Sequence, residues 1–315
     1  MRINKQQDNL IRWLFRLSLL LICASSSAQD SIKLVDASAS NVNDHSHYFV
    51  KLLSASLEAT KEEYGGFSLE PQNITIGQTR QLRELAKGTF DVFWTLSTPA
   101  RETQARAINI PLMKGAFGIR LLVVNTADIG TFESLSRAQL ATYPALLGVD
   151  WPDTSILRVN RLTVETALQD NQFYDLLRKR PGYYFPRGFF EAVPEIQDFP
   201  AGTFGIVKNK LLLYPISMKF FVAPDNERLA ARLTLGLSRL KKNGMFDKLF
   251  FEFTPHKQTI DALTLQQPDV IELVNPFLPN LKDAAEIYAE QYQLLERVGV
   301  KVPSRQQRKI TVDAP

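Results

Sequence analysis

Apolar positions along this chain alternate between two rhythms. Short apolar-rich runs, "SIKLV" at 31–35, "FSLEP" at 67–71 and "FDVFW" at 90–94, are separated by stretches with helical spacing. Phe49, Leu52, Leu53, Leu57 and Ala59 recur at i, i+3 and i+4, which predicts a helix over 48–63 stopped by the glycines at 65 and 66. Leu82, Leu85 and Ala86 predict a second helix over 79–87, closed by Gly88. The series reads β-α-β-α-β, with connections long enough for parallel crossovers. "TPAR" at 98–101 starts a short helix, because Thr98 can cap it and Pro99 suits its first position. "INIPL" and "FGIRLLVVN" then read as extended segments.

The alternation restarts at "ALLGVDW", a strand, and continues through a helix at 152–160 and a strand or edge at "TVETAL". A helix over 171–180 ends at Gly182, and "YYFPRGFFEAVPEI" reads as a strand and loop. A long extended pair over 211–226 is broken at Pro215. The longest periodic helix follows over 227–243, ended by Gly244, with a shorter one over 245–251 and a last one over 282–297. No 20–50-residue repeat is present. Two β/α units joined by two apolar passages, near 118–124 and 211–223, predict two lobes that can close like a clamshell. The expected organisation is one lobe from 29–122 and 218–254, a second from 123–217, and an extension over 255–315 packing on the first lobe.

The N-terminus adds a leader. Arg2, Lys5, Arg12 and Arg16 precede an apolar core and a small-residue stretch in which Ser26 and Ala28 suit a signal-peptidase site. A cleaved signal over 1–28 is the expectation, and it places the mature protein in the periplasm. The apolar core is short for a bilayer span, which takes about 20 residues; an uncleaved anchor and a lipoprotein attached through Cys23 are the alternatives. The leader holds four of the 37 basic and one of the 33 acidic residues, so 33 basic face 32 acidic residues without it, and the net charge falls from +4 to +1. That balance gives no argument for nucleic acid. The single cysteine, Cys23, leaves too, so the mature chain has no disulfide and no thiol nucleophile.

Motifs of known chemistry are scarce. The histidines, His45, His47 and His256, lack the i, i+4 spacing of a zinc helix. There is no G-x-S-x-G, no Walker loop and no dinucleotide fingerprint. No cofactor is expected, and an enzyme is the least favoured class. The chemistry-bearing residues gather where strands end. Trp94, Thr95, Ser97, Thr98 and Arg101 follow the third strand, Trp151, Asp153 and Thr154 follow "ALLGV", and Asp36 and Ser38 follow the first strand. In parallel α/β sheets ligands bind at such carboxyl ends.

The ordered series "ELAKGTFDVFWTLSTPARETQARAINIPLMKGAFGIRLLVV", with Gly88, Asp91, Thr98, Arg101, Pro111 and Gly115 in step, resembles extracellular solute-binding family 3, the amino-acid-binding type II periplasmic proteins. "FFVAPDNERLAARLTLGLSRLKKNGMFDKLFFEF" resembles the end of that family's second lobe segment, and the resemblance covers about residues 30–254. It implies an α/β fold of two lobes, a solute in the cleft and hinge closure. It also implies delivery to an ABC-type permease, and a monomer. Arg101 takes the place of the arginine that clasps the solute carboxylate, a bidentate, charge-assisted pairing. Departures accompany the match. Leu96 and Trp94 stand in hydroxyl positions, and Arg187 and Gly188 fall where an acid pairs the solute ammonium. Two arginines facing one cleft predict a small anionic solute, with an amino-acid-like one as the other reading; an ion pair with Glu191, four residues on, is the competing role for Arg187. The expected contacts are Arg101, Arg187, Trp94, Thr98, Ser97, Trp151, Asp153, Thr154, Tyr184 and Asp36. A ligand sensor at the membrane without a permease is the alternative, and a dehydratase-like enzyme of the same fold is a second one.

Overall fold

The computed structural model describes residues 29–35, 46–73, 78–167, 172–278 and 281–302. The expected leader, Asp36, Ser38 and the end of the tail lie outside them. The first lobe runs β1 (Asp30–Val35), α1 (Ser46–Glu58), α2 (Lys61–Tyr64), β2 (Phe67–Gln72), α3 (Gln78–Ala86), β3 (Val92–Leu96), α4 (Pro99–Glu102) and β4 (Arg106–Ala107). The single helix expected over 48–63 is broken at Ala59 and Thr60. There the Leu57 carbonyl accepts from the Thr60 hydroxyl and from the buried Arg232 guanidinium at 3.1 Å. Those bonds replace the continuation of the helical ladder.

The chain crosses to the second lobe as β5 (Ile119–Asn125), followed by α5 (Ile129–Ser134), α6 (Arg137–Leu140), β6 (Ala145–Gly148), α7 (Pro152–Val159), β7 (Val164–Ala167), α8 (Phe173–Lys179), β8 (Phe185–Gly188), α9 (Ala192–Ile196) and β9 (Phe204–Leu213). It returns as β10 (Met218–Val222), α10 (Glu227–Lys242) and α11 (Met245–Glu252), and ends with α12 (Thr254–Ala262), β11 (Asp269–Glu272) and α13 (Leu281–Arg297). "EAVPEI" holds a helix where a loop was expected.

The two lobes repeat one topology. In the first, β1 and β2 are parallel, and β3 joins them where Asp91 N donates to Lys33 O at 2.9 Å. β10 then lies antiparallel between β3 and β4. The order is second, first, third, returning strand, last. In the second lobe β7 and β6 are parallel, β8 joins β6 through Leu146 N to Tyr184 O at 2.8 Å, and β5 lies antiparallel between β8 and β9. Each lobe thus receives the strand that has just crossed from the other. The boundary expected after 122 lies earlier, because all of β5 belongs to the second sheet. The crossings themselves are 111–118 and 214–217.

The extension, expected to pack on the first lobe, reaches both: buried His256 of α12 lies between Tyr48 and Phe250 of the first lobe, and β11 joins the second. β11 pairs in parallel with β9, from Asp269 on Lys210 to Glu272 on Leu213. The outer edge of β9 offers unpaired amides and carbonyls, and β11 satisfies them. α13 turns back toward the first lobe, where Arg297 meets Asp247 of α11 at 2.5 Å.

One packing contact tests the first lobe. Gly236 of α10 lies against the backbone of α1, where an added Cβ would fall inside van der Waals contact with Ser56 O. Backbone cannot rotate away as a side chain does, so the helices must separate. Gly236→Ala is expected to lower stability by about 1–3 kcal/mol in urea unfolding, although alanine is the better helix former; an unchanged midpoint would contradict this packing.

Candidate functional site

The site lies between the carboxyl ends of β3 and β6. β3 is buried throughout, and the chain leaves it through Ser97 and Thr98. Thr98 caps α4 by accepting from Arg101 N at 3.3 Å, as expected, and Ser97 donates to Glu102. The cap turns Arg101 back under the strand end, where Nη1 donates to Thr95 Oγ1 at 2.6 Å and to Leu96 O at 3.0 Å. Arg101 is only 7% exposed. Burial pulls its guanidinium below the ordinary value, and the negative charges of Asp150 and Asp153 oppose that pull. Those two acids belong to the other lobe, so the arginine faces an acidic wall. Trp94 backs this side, packed on Phe49 at 5.5 Å, and Phe49 in turn stacks on Phe117 at 6.4 Å.

The opposing wall is built on β6 and α7. Gly148 ends β6, and any side chain there would meet the indole of Trp151 at 2.5 Å. Thr154 Oγ1 donates to Gly148 O at 2.7 Å, pinning the first turn of α7 to the strand. That turn carries Asp153, 2% exposed. Arg120, at the entry of β5, reaches it with Nη2 at 2.5 Å and donates through Nε to Tyr214 Oη at 2.7 Å. Tyr214 Oη donates to the same Asp153 oxygen. Burial alone would lower the Arg120 guanidinium, but Asp153, Tyr214 and Glu191 outweigh it and hold it above the ordinary value.

Arg187 requires a correction. It does not stand as a second open cation of the cleft; its guanidinium donates to both oxygens of Glu195, at 2.8 and 2.6 Å, and lies 3.3 Å from Glu191. It also stacks 5.5 Å from the Trp151 ring and 5.2 Å from Phe185. Glu191 is shared with Arg120 at 3.4 Å. The ladder Asp153, Arg120, Glu191, Arg187, Glu195 therefore sets three carboxylates against two guanidiniums. Trp151 packs on Phe173 at 5.1 Å, supporting this ladder. Tyr184 is fully buried, 5.7 Å from Phe132, and its hydroxyl finds no partner among the described residues. It is a core residue.

Sequence reading missed Arg120, Tyr214, Glu195 and Asp150. The signal was a lone arginine in "FGIRLLVV" and a lone tyrosine in "LLLYP": polar groups in apolar strands need partners. Among the described residues, no group of three or more acidic, histidine or cysteine side chains is arranged to hold a metal ion. None of the described helices is long and apolar enough to cross a membrane.

No protein-family model and no curated protein matches this sequence. Solved structures do match in fold. The GluR0 ligand-binding core in complex with L-glutamate aligns with a TM-score of 0.54 and 13% identity, over 72% of this chain and 99% of that one. A Salmonella typhimurium periplasmic binding protein of high arginine specificity aligns at 0.51 and 15%, over 70% and 97%. The periplasmic VFT2 domain of Bordetella pertussis BvgS aligns at 0.53 and 13%, over 73% and 94%. This chain accordingly has the two-lobed type II periplasmic-binding-protein fold, and it is longer than these neighbours by more than a quarter.

The buried pair makes its own prediction. Arg120→Met leaves Asp153 charged and without its cation, and should cost about 3–5 kcal/mol. Adding Asp153→Leu should restore much of that loss in the same denaturant series. A double variant no more stable than the single one would contradict the pairing.

Proposed function

We propose that the cleft captures a small amino-acid-like solute, with its carboxylate toward Arg101 and its ammonium toward Asp150 and Asp153. The observation that carries this reading is the placement of Arg101: a buried guanidinium at the end of β3, facing acids from the other lobe. A guanidinium binds a carboxylate through two parallel hydrogen bonds, and the excess of carboxylates opposite favours a cation. Of the anionic and amino-acid-like solutes expected, the anionic one loses its support, because Arg187 is matched by Glu191 and Glu195. A solute that touches both walls stabilises the closed form over the open one, and that difference is what drives hinge closure. The protein acts in the periplasm as a monomeric binding protein, without catalysis. It hands its solute to an ABC-type permease.

The second reading is sensing, in which the closed state is reported to a membrane partner and no solute is delivered. It is favoured by an extension that contacts both lobes, and by likeness of fold to a histidine kinase sensor domain at a TM-score of 0.51 and 15% identity, over 72% of this chain and 96% of that one.

A thermal-shift screen with amino acids and dicarboxylates, followed by calorimetry on the best solute, tests the reading. A solute at 100 times its dissociation constant adds about 2.7 kcal/mol of stability. Arg101→Ala is expected to weaken binding more than tenfold, which is about 1.4 kcal/mol, and Asp150→Asn to weaken amino acids but not dicarboxylates. An isotherm unchanged by Arg101→Ala sinks the proposal.

A further inference from the structure

The C-terminal extension touches every part that must move if the lobes bend. At the hinge, Gln291 of α13 donates through Nε2 to Gly115 O at 3.0 Å and to Tyr214 O at 2.9 Å. Gly115 belongs to the first crossing and Tyr214 to the second. The two crossings are shaped to admit this amide. Gly115 has φ +75°, and a Cβ there would lie 2.6 Å from Gln291 Cγ. At Gly118 a side chain would collide with Gln291 Nε2 and with Tyr214 O. One side chain thus bridges both hinge crossings.

Toward the second lobe the extension is bound by backbone. β11 continues its sheet, Leu273 N donates to Leu213 O at 2.8 Å, and Asn275 Nδ2 donates to Pro215 O at 2.7 Å. Val274 exchanges two bonds with Asn160, at 2.8 and 2.9 Å, where α7 ends. The other end of α7 carries Asp153. α13 is fastened to β11 through Tyr288 Oη to Leu273 O at 2.8 Å and Tyr292 Oη to Glu272 at 2.5 Å.

α12 is anchored on the first lobe, where buried His256 lies with Nδ1 2.7 Å from Phe250 O of α11 and its ring 5.1 Å from Tyr48 of α1. The attachment of α13 to that lobe is lighter: Arg297 pairs with Asp247, the two 53% and 38% exposed, with the guanidinium 3.8 Å from the Phe251 ring. Exposed ion pairs contribute little to stability. A groove of about 190 Å³ lies along this seam, lined among others by Lys114, Lys241, Phe246, Phe251, Glu290 and Arg297. A loosely filled seam can slide where a ladder of backbone bonds cannot.

We infer that β11 and α13 form a strap that travels with the second lobe, holds both hinge crossings through Gln291, and sets the angle between the lobes by its grip on α11. Closure then requires the strap to slip along the groove, so that lobe angle and strap position change together. The inference rests on the proposed solute-binding reading only in that the lobes move, and its test needs no solute.

Spin labels on Arg83→Cys in α3 and Lys179→Cys in α8 report the interlobe distance by pulsed electron spin resonance. Both positions are exposed, and with Cys23→Ser no other thiol remains. The parent should give a narrow distance distribution. Gln291→Met keeps the side chain's bulk but removes the bridge, and should broaden the distribution; Arg297→Ala, an exposed change, should shift or broaden it as well. Glu286→Ala, on an exposed face of α13, should leave it as it was. If Gln291→Met fails to fold by circular dichroism, Arg297→Ala decides alone. Folded variants with the parent's distribution would overturn the strap, whatever the cleft binds.

Discussion

A guanidinium without water must be surrounded by acceptors, and Arg120 meets that demand by gathering three segments around itself. It stands at the entry of β5, takes Asp153 from the first turn of α7, and takes Tyr214 from the second hinge crossing. Burying the ion alone would cost several kcal/mol, so the fold that removes it from solvent must also supply the partners. This one condition fixes where α7 begins relative to the hinge. It therefore fixes where the acidic wall faces Arg101. Glu191 extends the same network to Arg187 and Glu195, which ties α9 to the wall as well.

The two sides of the cleft are built by different physics. On the first lobe, local capping does the positioning: Thr98 starts α4, and the turn returns Arg101 to Thr95 and Leu96. On the second lobe, the wall depends on partners distant in sequence, with Arg120, Asp153 and Tyr214 up to 94 residues apart. That contrast explains what could be read in the sequence. The cap at Thr98, the break at Pro215, the alternation of strands and helices and the two-lobed class follow from local signals. So does the helix that begins at Pro152, though Asp153 stands within its first turn and does not cap it.

For Arg187 the pair with Glu191 was legible from the i, i+4 spacing, but Glu195 was not, because it stands on an element that was taken for a loop. As helix α9, "EAVPEI" brings Glu191 and Glu195 onto one face, one turn apart, and both meet the same guanidinium. As a loop, it leaves the arginine facing the cleft. Tyr184 was placed by counting along the chain, but it sits just before β8, with its side chain on Phe132. The second-lobe pairing of β11 went unread because a four-residue strand has no partner of its own. Its position was decided by the open edge of β9, which no local pattern announces.

An acidic wall opposite a buried arginine gives the cleft a polarity, and that polarity is the account's central claim. Calorimetry with an amino acid that binds and with its deaminated analogue, the same carboxylate with hydrogen in place of the ammonium, tests it most directly. The account predicts that the analogue loses at least tenfold in affinity, about 1.4 kcal/mol. An analogue or a dicarboxylate that binds as tightly as the amino acid would contradict it.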